Sequence, residues 1–303
     1  MASTTQIVLV DTDEREAQRV ERHLRHLEER WSRFLPDSDV SRLNAAAGRP
    51  VTVSPETITL VTAMVDGWRE TGGAYDPTVL PVLLEMGYMG SIDDPRRRTT
   101  THADAGHGRA TPDDIDVRPC AGTVALPPRT AIDPGGIGKG LAADLAVAAA
   151  LERGSAGALV SIGGDLSAQG APPTGDGWLV ECADPFEADR AVARWWTSGG
   201  GVATSSTRSR RWIREAEGRP VEVHHLVDPL THGMSGTDLA AATVLAPVAW
   251  RAEVHATAAL LAGRSGALRH LRDAGLSGLV IDWEGELEAS PDLAGTVLME
   301  AAQ

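Results

Sequence analysis

The sequence predicts an α+β fold. Helical and strand patterns are intermixed along its 303 residues, without the regular strand–helix–strand rhythm of a doubly wound sheet. The last third ends in two adjacent strand patterns, Gly278–Trp283 and Glu284–Glu288, that read as a hairpin. With 42% hydrophobic residues the chain is long enough to bury one large core or two smaller ones, and no repeat period divides it.

The elements follow in order. Gln6–Val10 reads as a strand. Asp11 to Asp13 then cap a helix whose apolar positions Val20, Leu24, Leu27, Trp31 and Phe34 step by four and three, a single buried stripe. A second helix opens at Ser54-Pro55-Glu56, a capping Ser followed by Pro at the first helical position, and ends near Gly72-Gly73. From about Met89 to Pro119 the chain is polar and rich in Pro, Arg, Thr, Asp and His, and reads as a poorly ordered loop insertion with at most one helical turn. Thr123–Leu126 is a strand leading into a glycine-rich turn, and a helix follows over Gly138–Arg153. Strands are expected at Ala158–Ile162, Trp178–Cys182, Gly201–Ser205, Val221–Val227 and Ala242–Leu245. The late helices are Val248–Ala262 and Ala267–Ala274.

Composition excludes several classes. The formal charge of −14 argues against a general nucleic-acid binder, since phosphate contact needs clustered cations. Two cysteines, Cys120 and Cys182, make neither a disulfide scaffold nor a metal-ligand spacing. No apolar run approaches the ~20 residues of a membrane span. The first residues, Met1 to Gln6, carry no basic segment, apolar segment or lipid-attachment Cys, so the expected location is cytoplasmic. Every basic residue except Lys139 is Arg. A lone lysine in an arginine-rich chain marks either chance survival or a site that needs a compact ammonium.

Lys139 lies in Asp133-Pro134-Gly135-Gly136-Ile137-Gly138-Lys139-Gly140, a glycine turn opening a helix. Such a turn lets backbone approach a ligand, and the helix amino end suits phosphate, although glycine turns are also simply turns. It is not a phosphate-binding Walker loop, because Gly140 stands where Ser or Thr should follow the Lys. Glu253 and Thr257 stand four apart on one helix face, a carboxylate and a hydroxyl pointing the same way. Hard oxygen donors in that arrangement suit Mg²⁺; the alternative is an exposed Glu beside a Thr bonded to its own helix. His225 precedes an Asp-Pro turn at a strand end, where it serves either as a general base or as a satisfied turn residue.

Together these segments resemble the flavin transferases of the ApbE family. Ser38-Asp39-Val40-Ser41-Arg42-Leu43-Asn44 is similar to that family's S-E-I-S-R-L-N box, and Gly73-Ala74-Tyr75-Asp76-Pro77-Thr78-Val79 to its G-A-F-D-P-T-V box. Ile132 to Asp144 resembles I-D-L-G-G-I-A-K-G-Y-A-A-D, and Val160 to Asp165 the N-x-G-G-D turn. Val202 to Ser205 resembles A-T-S, His225 to Pro229 H-I-I-D-P, and Ala252 to Ala258 A-D-A-x-x-T-A. The likeness runs from about residue 6 to about residue 290. Glu253 departs from it by standing where the family usually has Asp, Pro134 where it has Leu, and His232 where it has Gly.

The resemblance implies one ApbE-like domain over residues 1–303, of mostly antiparallel sheets packed with helices. It implies an Mg²⁺-dependent transfer of FMN from FAD to a Ser or Thr hydroxyl of an acceptor protein, with release of AMP. Hydrolysis of FAD to FMN and AMP, or flavin binding without catalysis, are the alternatives. Carried over, the Mg²⁺ ligands are the Gly136 carbonyl, Glu253 and Thr257. Ala74, Tyr75, Asp76, Asp133, Lys139 and Val227 contact flavin or adenylate, and His225 is the base.

Overall fold

A computed structural model describes residues 3–91, 94, 96–101, 110–187, 189–216 and 218–293. Its helices are α1 (Glu16–Trp31), α2 (Asp39–Ala45), α3 (Pro55–Glu70), α4 (Leu80–Glu85), α5 (Gly138–Glu152), α6 (Ala249–Leu261) and α7 (Gly263–Asp273). The early strands are β1 (Thr5–Val10), β2 (Val51–Thr52), β3 (Asp116–Arg118), β4 (Thr123–Ala125), β5 (Gly157–Ile162), β6 (Asp165–Gly170), β7 (Trp178–Ala183) and β8 (Ala191–Thr197). The later ones are β9 (Gly200–Ser206), β10 (Arg211–Ala216), β11 (Arg219–His224), β12 (Val227–Asp228), β13 (Gly233–Met234), β14 (Leu239–Ala246), β15 (Ser277–Asp282) and β16 (Leu287–Ala289). The chain divides into two compact units, one of residues 25–138 and 209–235, the other of residues 3–24, 139–208 and 236–293.

The second unit is built on a seven-stranded sheet in the order β1-β5-β6-β9-β14-β15-β16, with every neighbouring pair antiparallel. Strand alternation sorts its side chains. Val202, Leu279 and Ile281 pack against Val180, Cys182, Ala193 and Trp195 of the β7–β8 ribbon, and α6 packs against β9 and β14. Thr204 therefore bonds Thr243 on the ribbon side (2.9 Å), while the next residue, Ser205, turns to the helix side and meets Thr257 of α6 (3.0 Å).

The first unit holds α2, α3 and α4, the three-stranded sheet β2-β4-β3, and the β10–β11 and β12–β13 ribbons. Ser54 caps α3 by accepting the Thr57 N–H, with Pro55 at its first turn, as the sequence pattern requires. Val82 and Leu83 of α4, with Met86 just after it, pack with Val223 and Val227.

Several expectations are corrected. Phe34 lies beyond the end of α1, half-buried, because Ser32 and Ser38 bond the intervening backbone into a turn. The strand expected over Val221–Val227 breaks after His224, where the Leu226 N–H bonds His224 Nδ1 at 3.3 Å. The end of the polar insertion is not loop: Asp116–Arg118 pairs with β4. Of that insertion, residues 92–93, 95 and 102–109 lie outside the described residues. In the closing hairpin the return strand is only Leu287–Ala289, since the Asp282 side chain accepts from the Glu284 and Glu286 N–H groups and makes the intervening residues a turn. No helix among the described residues is long and apolar enough to cross a membrane.

Candidate functional site

In the second unit the lone lysine is held by two acids. Lys139 Nζ pairs with Asp165, and Glu253 Oε1 lies 3.2 Å from it. Asp165 and Glu253 are buried, at 1% and 5% side-chain exposure, and Lys139 is 17% exposed. Both carboxylates are anchored from their other oxygen. Asp165 Oδ1 accepts the Thr204 N–H at 3.1 Å, and Glu253 Oε2 accepts the Gly140 N–H at 2.8 Å. That leaves Glu253 Oε1 buried, within ion-pair range of Lys139 but making no hydrogen bond. One turn further along α6, Thr257 Oγ1 reaches Ser205 and its own helix carbonyl at Glu253. Lys139 and Gly140 at the start of α5 thus meet the late helix; Glu253 is buried rather than exposed, while Thr257 does bond back to its own helix.

Counted as ionised, the cluster is two carboxylates against one ammonium, so it carries one excess negative charge in a water-poor setting. That balance favours a second cation. Among the described residues no three His, Cys, Asp or Glu side chains form a metal cage. The sequence-expected ligand set, with a single carboxylate, is of another kind.

In the first unit the polar boxes are stitched together by backbone bonds. Asn44 clamps Ile132 from both sides, accepting its N–H at 2.8 Å and donating to its carbonyl at 2.9 Å. The Asp133 N–H donates to the Pro77 carbonyl at 2.8 Å, which places the Asp133 turn beside the Ala74–Thr78 segment. Asp76 closes that segment by accepting the Thr78 N–H and hydroxyl. Asp133 caps a short helical turn, Pro134–Gly136, through the Gly135 N–H. Tyr75 is buried with its ring so near Gly136 that a Cβ there would stand 3.1 Å from the ring edge. Arg33, unassigned from sequence, brings its Nε to 3.5 Å from Asp133 Oδ2 while the faces of Phe34 and Tyr88 cover its guanidinium.

His225 is half-buried in the gap between β11 and β12, just before the turn that Asp228 organises. Val227, by contrast, sends its side chain into the hydrophobic core. Next to His225, His224 is buried, and desolvation pulls its imidazole below the usual value of 6.5. Desolvation likewise pushes the Asp144 carboxyl up, against the lowering effect of two backbone N–H groups. Asp165, Ser205, Arg33 and Asp144 had no role assigned from the sequence. Asp165 and Asp144 each close a glycine-containing box, which was the available signal; Ser205 ends the Val202–Ser205 box, which has no glycine.

The ApbE family model matches residues 1–280. The chain is 30% identical over 260 residues to the FAD:protein FMN transferase of Salmonella typhimurium, covering 84% of this chain and 73% of that one. It is 31% identical over 263 residues to the FAD:protein FMN transferase of Klebsiella pneumoniae, with the same coverage. Among solved structures it is similar to the ApbE protein of Thermotoga maritima, with a TM-score of 0.80 at 23% identity over 99% of each chain. It also resembles the flavin transferase ApbE of Vibrio cholerae, with a TM-score of 0.77 at 21% identity over 98% of this chain and 96% of that one. With the whole-chain match in motif order and the α+β architecture in agreement, the chain belongs to the ApbE family.

Proposed function

We infer that this protein is an FAD:protein FMN transferase: it moves FMN from FAD to a Thr or Ser hydroxyl of an acceptor protein and releases AMP. The observation that carries the reading is the buried Lys139–Asp165–Glu253 cluster beside Thr257, in a chain whose relatives bear that activity in their names. The donor chemistry fits Mg²⁺. Glu253 Oε1 is a hard, buried oxygen without a hydrogen bond, the Thr257 hydroxyl is one turn away, and the local charge is negative. Glu253, Thr257 and the Gly136 carbonyl would hold the ion. When bound, it would neutralise charge on the FAD pyrophosphate.

The chain's own groups account for the remaining requirements. Lys139 adds a positive charge where the pyrophosphate's negative charge grows. Ala74, Tyr75, Asp76 and Asp133, with the backbone at Val227, bind and orient the dinucleotide. His225 takes the proton from the acceptor hydroxyl, whose oxygen is a weak nucleophile unaided. That oxygen bonds to the FMN phosphorus, the bond to the AMP oxygen breaks, and AMP leaves with the electron pair. The two units work as one transferase domain, located in the cytoplasm.

The test is AMP release from FAD and Mg²⁺ by the purified chain, with and without an acceptor domain. Release that requires the acceptor supports transfer. AMP with free FMN in its absence identifies a pyrophosphatase, and tight FAD binding without AMP identifies a flavin-binding protein.

A further inference from the structure

Helices α5 and α6 cap each other. Gly140 and Asp144 stand four residues apart on one face of α5, and Ala249 and Glu253 stand four apart on one face of α6. The Gly140 N–H donates to Glu253 Oε2 at 2.8 Å. In return, the two oxygens of Asp144 accept the Ala249 and Trp250 N–H groups, at 2.9 and 3.0 Å. The residue before α6, Val248, supplies no side-chain cap, so the amino end of α6 is satisfied from α5 instead. The seam leaves no slack. A Cβ on Gly140 would stand 2.6 Å from the Ala249 carbonyl oxygen, against backbone that cannot swing aside.

An ordinary cap ends its influence in the first turn of its own helix. Here the helix being capped returns a carboxylate to the helix that caps it. The two acids therefore define one distance between the first turn of α5 and α6, and with it the orientation in which Glu253 offers Oε1. We propose that Asp144 is a positioning residue for the transfer site, fixing α6 so that Glu253 seats on the Gly140 N–H with its second oxygen turned to the cation. This rests on the transferase reading above only for the identity of the cation. The coupling between Asp144 and Glu253 stands on the hydrogen bonds alone.

Amide hydrogen exchange on the whole chain separates positioning from simple capping. In Asp144→Ala, the Ala249 and Trp250 amides lose their acceptors under either account. Positioning requires the Gly140 amide, which touches Glu253 and not Asp144, to exchange about tenfold faster or more as well. Unchanged exchange at Gly140 overturns the proposal. Asp144→Asn, which keeps one acceptor oxygen, carries the same test should the alanine variant fail to fold. Calorimetric titration with Mg²⁺ alone is the second readout. Affinity falls about tenfold or more in the Asp144 variants, in line with supporting residues around other metal ligands, and falls no further when Asp144→Asn is added to Glu253→Gln. A wild type that binds Mg²⁺ with an affinity indifferent to Asp144 also overturns the proposal. A wild type that binds no Mg²⁺ counts against the transferase reading alone, because the Gly140 exchange needs no metal.

Discussion

The lysine cluster and the His225 segment are built on opposite plans. Around Lys139 both acids are buried, paired with the ammonium and braced by a backbone N–H from a neighbouring element, with α5, β6, β9 and α6 all contributing. His225 instead sits half-buried in a two-residue gap between strands, in a segment held by backbone bonds, by the packing of Val227 and by the turn bonds of Asp228. The first region couples stability to chemistry, because its charges support one another out of water. The second separates them, since a side chain on a turn is removed without uncovering a buried charge. Substitutions in the cluster should therefore cost both folding and turnover, and substitutions at His225 turnover alone.

The largest effect tests that coupling. Lys139→Met leaves Asp165 and Glu253 buried without their cation, and stability should fall by about 3–5 kcal/mol, with FAD turnover at background. Urea denaturation reads the first and AMP release the second; a variant as stable as wild type would show that the cluster is solvated. His225→Ala sharpens the contrast. Its kcat should fall by roughly 10²–10⁴ while stability and the KM for FAD stay close to wild type. Comparable losses of stability in the two variants would erase the distinction.

Gly140→Ala strikes the helix seam rather than a charge. The added methyl meets the Ala249 carbonyl, and overpacking of this kind costs about 1–3 kcal/mol, measurable as a lower thermal midpoint. Glu253→Asp is gentler. The shortened side chain loses its bond to the Gly140 N–H, about 1 kcal/mol, yet keeps a carboxylate, and Mg²⁺-dependent AMP release should persist. Loss of that release would show that the longer acid has a function beyond ligating the cation.

The smallest effect is in pH. Burial lowers the imidazole values of His224, in the first unit, and His270, in the second. The unfolded chain therefore takes up protons below about pH 6.5 that the folded chain refuses. Stability is full above that value and declines as pH falls towards the depressed folded-state values. Urea midpoints from pH 8 to pH 5 should show the decline, and His224→Gln should make it shallower. An unchanged slope in that variant would mean that His224 is not withheld from protons.

What was legible in the sequence was what depends on near neighbours. The stripe of α1, the Ser54-Pro55 start of α3 and the alternation of β7 follow from periods of 3.6 and 2 and from capping chemistry. Helix α4 was missed because Leu80 to Glu85 is almost wholly apolar, buried on nearly every side, and so shows no period. Strand β6 was missed because DLSAQG has few β-forming residues and owes its conformation to pairing with β5 and β9. At the candidate site, Lys139, Glu253 and Thr257 stand out in the sequence by type and spacing, and the structure brings Lys139 and Glu253 together. Asp165, 26 residues from Lys139, and Asp144, 105 from Ala249, do not stand out, because their partners are long-range. The break after His224 comes from an imidazole bonding the backbone two residues on, which strand periodicity does not register.

The most direct test of the account is the intact mass of an acceptor domain after incubation with this protein, FAD and Mg²⁺. The account predicts a gain of one FMN less one water on a single Thr or Ser, with one AMP released for each modified acceptor. An acceptor of unchanged mass, treated in parallel with a known transferase that does modify it, would contradict the account.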